Sequence, residues 1–131
     1  MSKSAILCVD DEIYILESLK RQLYKAFKNT YLYEFAESAD EALELIEELH
    51  RDKVNIIVII SDWLMPGLRG DEFFIEVHQK FPNVIKIILT GQADEAAIER
   101  AKKKANLYSC LQKPWSSDEL IKIIKSGLSK V

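Results

Sequence analysis

Two hydrophobic periodicities alternate along the chain. Ala5-Ile6-Leu7-Cys8-Val9 is a short, unbroken apolar run, the pattern of a strand buried on both faces of a parallel sheet. Ile13, Leu16, Leu19, Leu23 and Phe27 then recur at three- and four-residue spacing, which predicts an amphipathic helix. Tyr31 to Ala36 reads as a second strand, aromatic but more polar, and therefore an edge strand. Ser38-Ala39-Asp40-Glu41 has the form of a capping box, and Ala42, Leu43, Ile46 and Leu49 stripe the helix behind it. Val54 to Ile60 is the most apolar and β-branched run, which places it near the sheet centre. Phe73, Phe74 and Val77 predict a third helix that stops before Phe81-Pro82. Val84 to Leu89 reads as a fourth strand, and Ala93, Ala97, Ile98 and Ala101 as the weakly apolar face of a fourth helix. Leu107 to Leu111 predicts a fifth strand; Leu120, Ile121, Ile124 and Leu128 predict a closing helix.

Five β-α units predict an open, doubly wound parallel sheet with helices on both faces. A length of 131 residues, without repeats or linkers, fits one domain. With 48% hydrophobic and 30% charged residues the chain can build a core and is not a disordered tail. A formal charge of -3 argues against electrostatic wrapping of nucleic acid, which needs a basic face. The Lys102-Lys103-Lys104 run is read as a solvated helix end that complements the helix dipole. The chain has no apolar run of bilayer-spanning length, and its start does not resemble a signal peptide. Cys8 and Cys110 lack metal-ligand spacing and are expected to be buried free thiols in a reducing cytosol. His50 and His78 each stand alone and are expected at the surface or rim.

In doubly wound sheets ligands bind beyond the carboxyl ends of the strands. Strand one ends in Asp10-Asp11, followed by Glu12; strand three ends in Ser61-Asp62; strand four ends in Thr90-Gly91; strand five ends in Gln112-Lys113-Pro114. Three carboxylates, a hydroxyl and an ammonium should therefore converge on one edge. Carboxylates clustered without compensation repel and raise a pKa; a divalent cation with oxygen ligands, such as Mg²⁺, resolves this. A hydroxyl and a lysine opposite suit an incoming phosphoryl group. Phosphoryl transfer is mostly positioning and charge neutralisation, and this set supplies both. One carboxylate is then the nucleophile, and Asp62 on the central strand is the natural choice.

With these residues in place the sequence resembles the response-regulator receiver family of two-component systems over essentially its whole length, 1–131. The resemblance lies in Cys8-Val9-Asp10-Asp11-Glu12, Ser61-Asp62-Trp63-Leu64-Met65-Pro66-Gly67, Gly70-Asp71-Glu72-Phe73, Leu89-Thr90-Gly91 and Lys113-Pro114-Trp115. It implies a flavodoxin-like sheet of order 2-1-3-4-5 with five helices. It implies that Asp62 takes phosphate from a phosphohistidine on a sensor histidine kinase or histidine phosphotransfer protein. Asp11 would bind Mg²⁺ directly and Asp10 largely through water; Asp62 and the Leu64 carbonyl would complete the protein ligands. Thr90 and Lys113 would contact the phosphoryl oxygens, and the Lys113-Pro114 peptide would be cis. Leu64 and Gln92 occupy positions that tune kinetics in the family, and an apolar Leu64 should hinder attacking water. Family members often carry Tyr or Phe three residues before the strand-five lysine, where this chain has Cys110. Tyr108, two residues earlier and so on the same strand face, or Trp115 is expected to take part of that switch role, unless Tyr108 is a static surface aromatic.

The output implied is a phosphorylation-dependent change in protein contacts on the face of the fourth helix, fifth strand and fifth helix. It would act on a downstream effector, on a fused output domain or through a homodimer, with no direct nucleic-acid or membrane contact. The chain ends just after the fifth helix, so no output domain is expected within it. The expected role is not that of an enzyme, beyond self-catalysed phosphotransfer and slow autodephosphorylation, and the expected location is the cytoplasm. The competing class is a Mg²⁺-dependent hydrolase of the haloacid-dehalogenase type. That family expects an aspartate two residues after the nucleophile, where this chain has Leu64. A flavodoxin-like cofactor binder is disfavoured because Asp10-Asp11-Glu12 would repel a phosphate.

Overall fold

The computed structural model describes residues 3–65, 67–91 and 95–130. Five strands alternate with five helices: β1 (Lys3–Val9), α1 (Ile13–Phe27), β2 (Leu32–Ala36), α2 (Ala39–Arg51), β3 (Val54–Asp62), α3 (Gly70–Lys80), β4 (Ile85–Thr90), α4 (Glu95–Ala105), β5 (Ser109–Gln112) and α5 (Ser117–Leu128). A single 3₁₀ turn, Lys28–Thr30, links α1 to β2. All strand pairs are parallel and the order is β2-β1-β3-β4-β5. This is the doubly wound, flavodoxin-like arrangement expected from the sequence.

The unbroken apolar strands are buried on both faces, as their pattern requires. Ile6, Cys8, Val58, Ile60, Ile87 and Leu89 pack with Leu16, Leu19 and Leu23 of α1 and Leu120 and Ile124 of α5. Leu7, Val9, Ile59 and Ile88 face the opposite layer, where Ile46 of α2, Phe73, Phe74 and Val77 of α3 and Ala101 of α4 meet them. Strand β2 is only half-buried along most of its length, in keeping with its edge position.

Local chemistry sets the helix starts. Ser38 Oγ accepts the N–H of Glu41 at 3.1 Å, but the Glu41 carboxylate takes the N–H of Glu37 rather than that of Ser38. Half of the expected capping box therefore forms at α2. A complete one starts α5, where Ser116 and Glu119 exchange side-chain and main-chain bonds. Gly70 begins α3 because no side chain fits there: a Cβ would lie 2.6 Å from the Asp62 carbonyl oxygen and 2.7 Å from Trp63 Cα. The missing side chain lets α3 start directly against the end of β3.

The strand ends differ by a few residues from the sequence expectation. Strand β3 runs on through Asp62, and β4 through Thr90, because pairing with the neighbouring strand continues to those residues. Strand β5 is short and starts at Ser109 rather than Leu107. Helix α4 starts at Glu95; Ala93 lies outside the described residues.

Candidate functional site

The carboxyl ends of β1, β3, β4 and β5 bring the chemistry together. Asp10, the residue after β1, is fully buried; its main-chain N–H donates to the Ala36 carbonyl and its Oδ1 accepts the Glu12 N–H at 2.9 Å. Asp62 closes β3 and Thr90 closes β4, with 7% and 2% of their surfaces exposed. Lys113 follows β5, and its main-chain N–H donates to the Thr90 carbonyl at 2.7 Å, which locks the last two strand ends together. The Lys113-Pro114 peptide is cis. Its Nζ lies 3.0 Å from Asp10 Oδ2, 3.3 Å from Asp62 Oδ1 and 3.8 Å from Glu12 Oε1.

One carboxylate oxygen each from Asp10, Asp11 and Asp62 falls within 4.8 Å of the others. Asp11 is exposed while Asp10 and Asp62 are buried, so the cluster opens to solvent on one side. Burial raises the Asp62 pKa, and the neighbouring Asp10 adds to the rise; Lys113 and the N–H of Leu64 oppose it. Burial likewise raises Asp10, against the pull of the Glu12 N–H and Lys113. Burial alone would lower Lys113, but Asp10 and Asp62 outweigh it and hold the ammonium charged. Two carboxylates that gain protons easily, with an exposed third beside them, form an all-oxygen set that fits a hard divalent cation. The same set leaves an ammonium beside the Asp62 oxygen, where negative charge can be neutralised.

Residues 6–125 match the response regulator receiver domain family. The chain belongs to this family. Curated relatives of the receiver include the hydrogenase transcriptional regulatory protein HoxA of Cupriavidus necator, 34% identical over 126 residues, which are 96% of this chain and 24% of that protein. The DNA-binding transcriptional regulator NtrC of Escherichia coli is 28% identical over 130 residues, 98% of this chain and 26% of that protein. The receiver thus spans about a quarter of these relatives. Among solved structures, the signal receiver domain of an HD domain-containing protein from Pseudomonas fluorescens Pf-5 superposes with a TM-score of 0.86 at 29% identity, covering 98% of this chain and 96% of that one. The beryllofluoride-activated NtrC4 receiver domain dimer gives 0.82 at 29% identity, covering 96% of this chain and 97% of that one. The chain is a phospho-accepting response-regulator receiver and not a classical enzyme; the phosphatase alternative finds no support. Among the described residues no helix is long and apolar enough to cross a membrane.

The aromatic positions fall differently from expectation. Cys110 is half-buried and turned to the α3–α4 side of the sheet, whereas Tyr108 packs on the α1–α5 side. Tyr108 precedes the first residue of β5, so the strand alternation does not bind it. Its hydroxyl pairs with Ser126 Oγ at 2.6 Å, Lys130 Nζ stands 5.5 Å from its ring centre, and Gly127 leaves room for the ring. The indole N–H of Trp115 donates to Gln22 Oε1 of α1 at 2.8 Å, away from the α4–β5 edge. The Leu64 side chain is 65% exposed beside Asp62. Gln92 lies outside the described residues. His50 is exposed, as expected, and stacks edge-on against Phe81; His78 is half-buried.

Three charged features escaped the sequence reading. Lys86 of β4 is wholly buried, its Nζ donating to the Val84 carbonyl at 3.0 Å and lying 3.2 Å from His78 Nδ1. Asp71, also wholly buried, pairs with Arg100 of α4 at 2.6 Å. Arg69 lies over the Trp63 ring, 5.4 Å from its centre. Only Lys86 left a visible signal, as the one charge inside an apolar strand run.

Proposed function

We propose that Asp62 is the phospho-acceptor and that a phosphohistidine on a sensor kinase or histidine phosphotransfer protein is the donor. The observation that carries this reading is the single cluster in which Asp10, Asp11 and Asp62 share one oxygen pocket while Lys113 bridges Asp10 and Asp62. Asp10, Asp11, Asp62 and the Leu64 carbonyl would hold Mg²⁺, which when bound neutralises the carboxylates and the incoming phosphoryl oxygens. An Asp62 carboxylate oxygen forms the new bond to phosphorus as the phosphorus–nitrogen bond of the donor breaks, and the departing imidazole nitrogen takes up a proton. Lys113 then exchanges Asp62 for a phosphoryl oxygen, and Thr90 supplies a hydroxyl to another. The side chain of Leu64 keeps water from the acyl phosphate, so autodephosphorylation is slow.

Docking of the donor is supported by exposed apolar side chains around the pocket, Ile13 and Tyr14 of α1 and Leu64. Beside them a groove of about 470 Å³ runs between α1 and the Pro114-Trp115 segment. Large apolar groups left in water beside a polar pocket suit a protein partner better than a small substrate. The output is a change of contacts on the α4–β5–α5 face, felt by an effector protein, a fused output domain or a second copy. Two unpaired thiols, Cys8 and Cys110, suit a cytoplasmic location.

The direct test is incubation with Mg²⁺ and acetyl phosphate followed by intact mass. A phosphate-sized gain that disappears in Asp62→Asn is expected; a gain that persists in Asp62→Asn would overturn the assignment.

A further inference from the structure

We propose that the Asp71–Arg100 ion pair is a restraint that holds α4 in its resting position, so that removing it tightens capture of a phosphoryl mimic. The inference rests on the assignment of Asp62 as acceptor. Asp71 is wholly buried, and Arg100 reaches it from a partly exposed position, Nη1 to Oδ2, at 2.6 Å. The other oxygen, Oδ1, has no hydrogen bond; Arg69 Nε stands 3.6 Å away and bonds instead to Glu72 at 3.0 Å. A buried carboxylate deprived of its cation is left as an uncompensated charge. Moving α4 off α3 therefore takes from Asp71 its closer, hydrogen-bonded cation and leaves Arg69 at 3.6 Å.

Helix α4 otherwise packs through small side chains and the half-buried Ile98. Its buried residues are Ala97, Ala101 and Ala105. Alanine side chains bury little apolar area each and present a smooth face with no ridges to interlock. The ion pair thus adds a directional tie to this light apolar packing. The pair is also tied through the backbone to the acceptor and to Thr90. Asp71 follows Gly70, whose backbone abuts the Asp62 carbonyl, and α4 follows the strand that ends in Thr90. A phosphoryl group that draws Thr90 inward pulls on the start of α4, and the Asp71–Arg100 pair resists. By linkage, whatever favours the resting arrangement weakens ligands of the other arrangement by the same factor.

The experiment is a beryllofluoride titration in saturating Mg²⁺, followed by amide chemical shifts, on the wild type, Arg100→Gln and the double variant Asp71→Leu/Arg100→Leu. The double variant removes both charges and guards against loss of folding from a stranded carboxylate. Affinity is expected to rise roughly fivefold or more in both variants, with faster hydrogen exchange along α4 in Arg100→Gln before the mimic is added. Affinity unchanged or weaker in the two variants, even with a lower melting temperature, would mean a merely structural pair and overturn the proposal. A wild type that fails to bind, or an Asp62→Asn variant that still binds, would instead overturn the acceptor assignment.

Discussion

Replacing Lys86 by Met should stabilise the protein at neutral pH, and the gain should vanish as the pH rises. Lys86 is fully buried in β4, and burial lowers its pKa from 10.5 to about 8. At 1.36 kcal/mol per unit, that depression is a penalty of about 3 kcal/mol for keeping the folded ammonium charged. The bonds to the Val84 carbonyl and His78 offset part of it, at about 1 kcal/mol each. Methionine is unbranched, only one heavy atom shorter, and carries no charge, so the variant should gain about 1–2 kcal/mol at pH 7. The sign of the pH dependence follows from proton binding. Below pH 8 the lysine is protonated folded and unfolded, and the full penalty is present. Between about 8 and 10.5 the unfolded chain holds the proton while the folded one releases it, so wild-type stability rises with pH. The Met variant lacks this term, so its advantage should disappear across the window and become a deficit of about 1–2 kcal/mol at the upper end. Urea denaturation of both proteins at pH 7, 8.5 and 10, with equal m values, measures the difference. Burial, and in the wild type also the Lys86 charge, lower the His78 pKa away from the pH range compared. A variant less stable at pH 7, or a difference that does not change with pH, would refute the argument.

Two further substitutions test the site's construction. Gly70→Ala places a methyl group 2.6 Å from the Asp62 carbonyl oxygen, so stability should fall by about 1–3 kcal/mol and acetyl-phosphate labelling should slow; thermal melting and intact mass check both, and a wild-type melting temperature would contradict it. Leu64→Asn replaces an exposed apolar screen with an amide that can hold water; the phosphorylated form should lose its phosphate roughly tenfold faster, read as the decay of the phosphate mass after donor removal, with an unchanged half-life against it.

The strands and the clustering of the strand-end residues were legible because both depend on local pattern. An apolar run marks a buried strand wherever it falls, and a doubly wound sheet gathers whatever stands at its strand ends. Asp10, Asp62, Thr90 and Lys113 could therefore be placed together before any distance was known. Cys110 and Tyr108 were harder. Their two-residue spacing predicts a shared face only inside a pleat, and β5 starts after Tyr108. What then directs the ring is Gly127, nineteen residues away on α5, which no spacing rule connects to it.

The charged residues missed in sequence share one physical reason. An aspartate in the first turn of a helix, like Asp71, is what the helix dipole favours at any exposed N-terminus. Burial alone distinguishes a dipole partner from a charge that must be matched, and burial here is set by α4, whose Arg100 is 29 residues on. Lys86 presents the opposite case. Its position in an apolar run makes its burial readable, but its partners are a carbonyl and a half-buried imidazole rather than an acid. Asp71 with its arginine resists separation of two helices, whereas Lys86, without an acid, weakens the strand that carries it. Neither belongs to the carboxylate cluster, yet both bear on β4 and α4. Two buried charges of opposite consequence thus add to the apolar packing of that half of the sheet, and a phosphoryl group on Asp62, the proposed acceptor, would act on a β4–α4 unit held by one and loosened by the other.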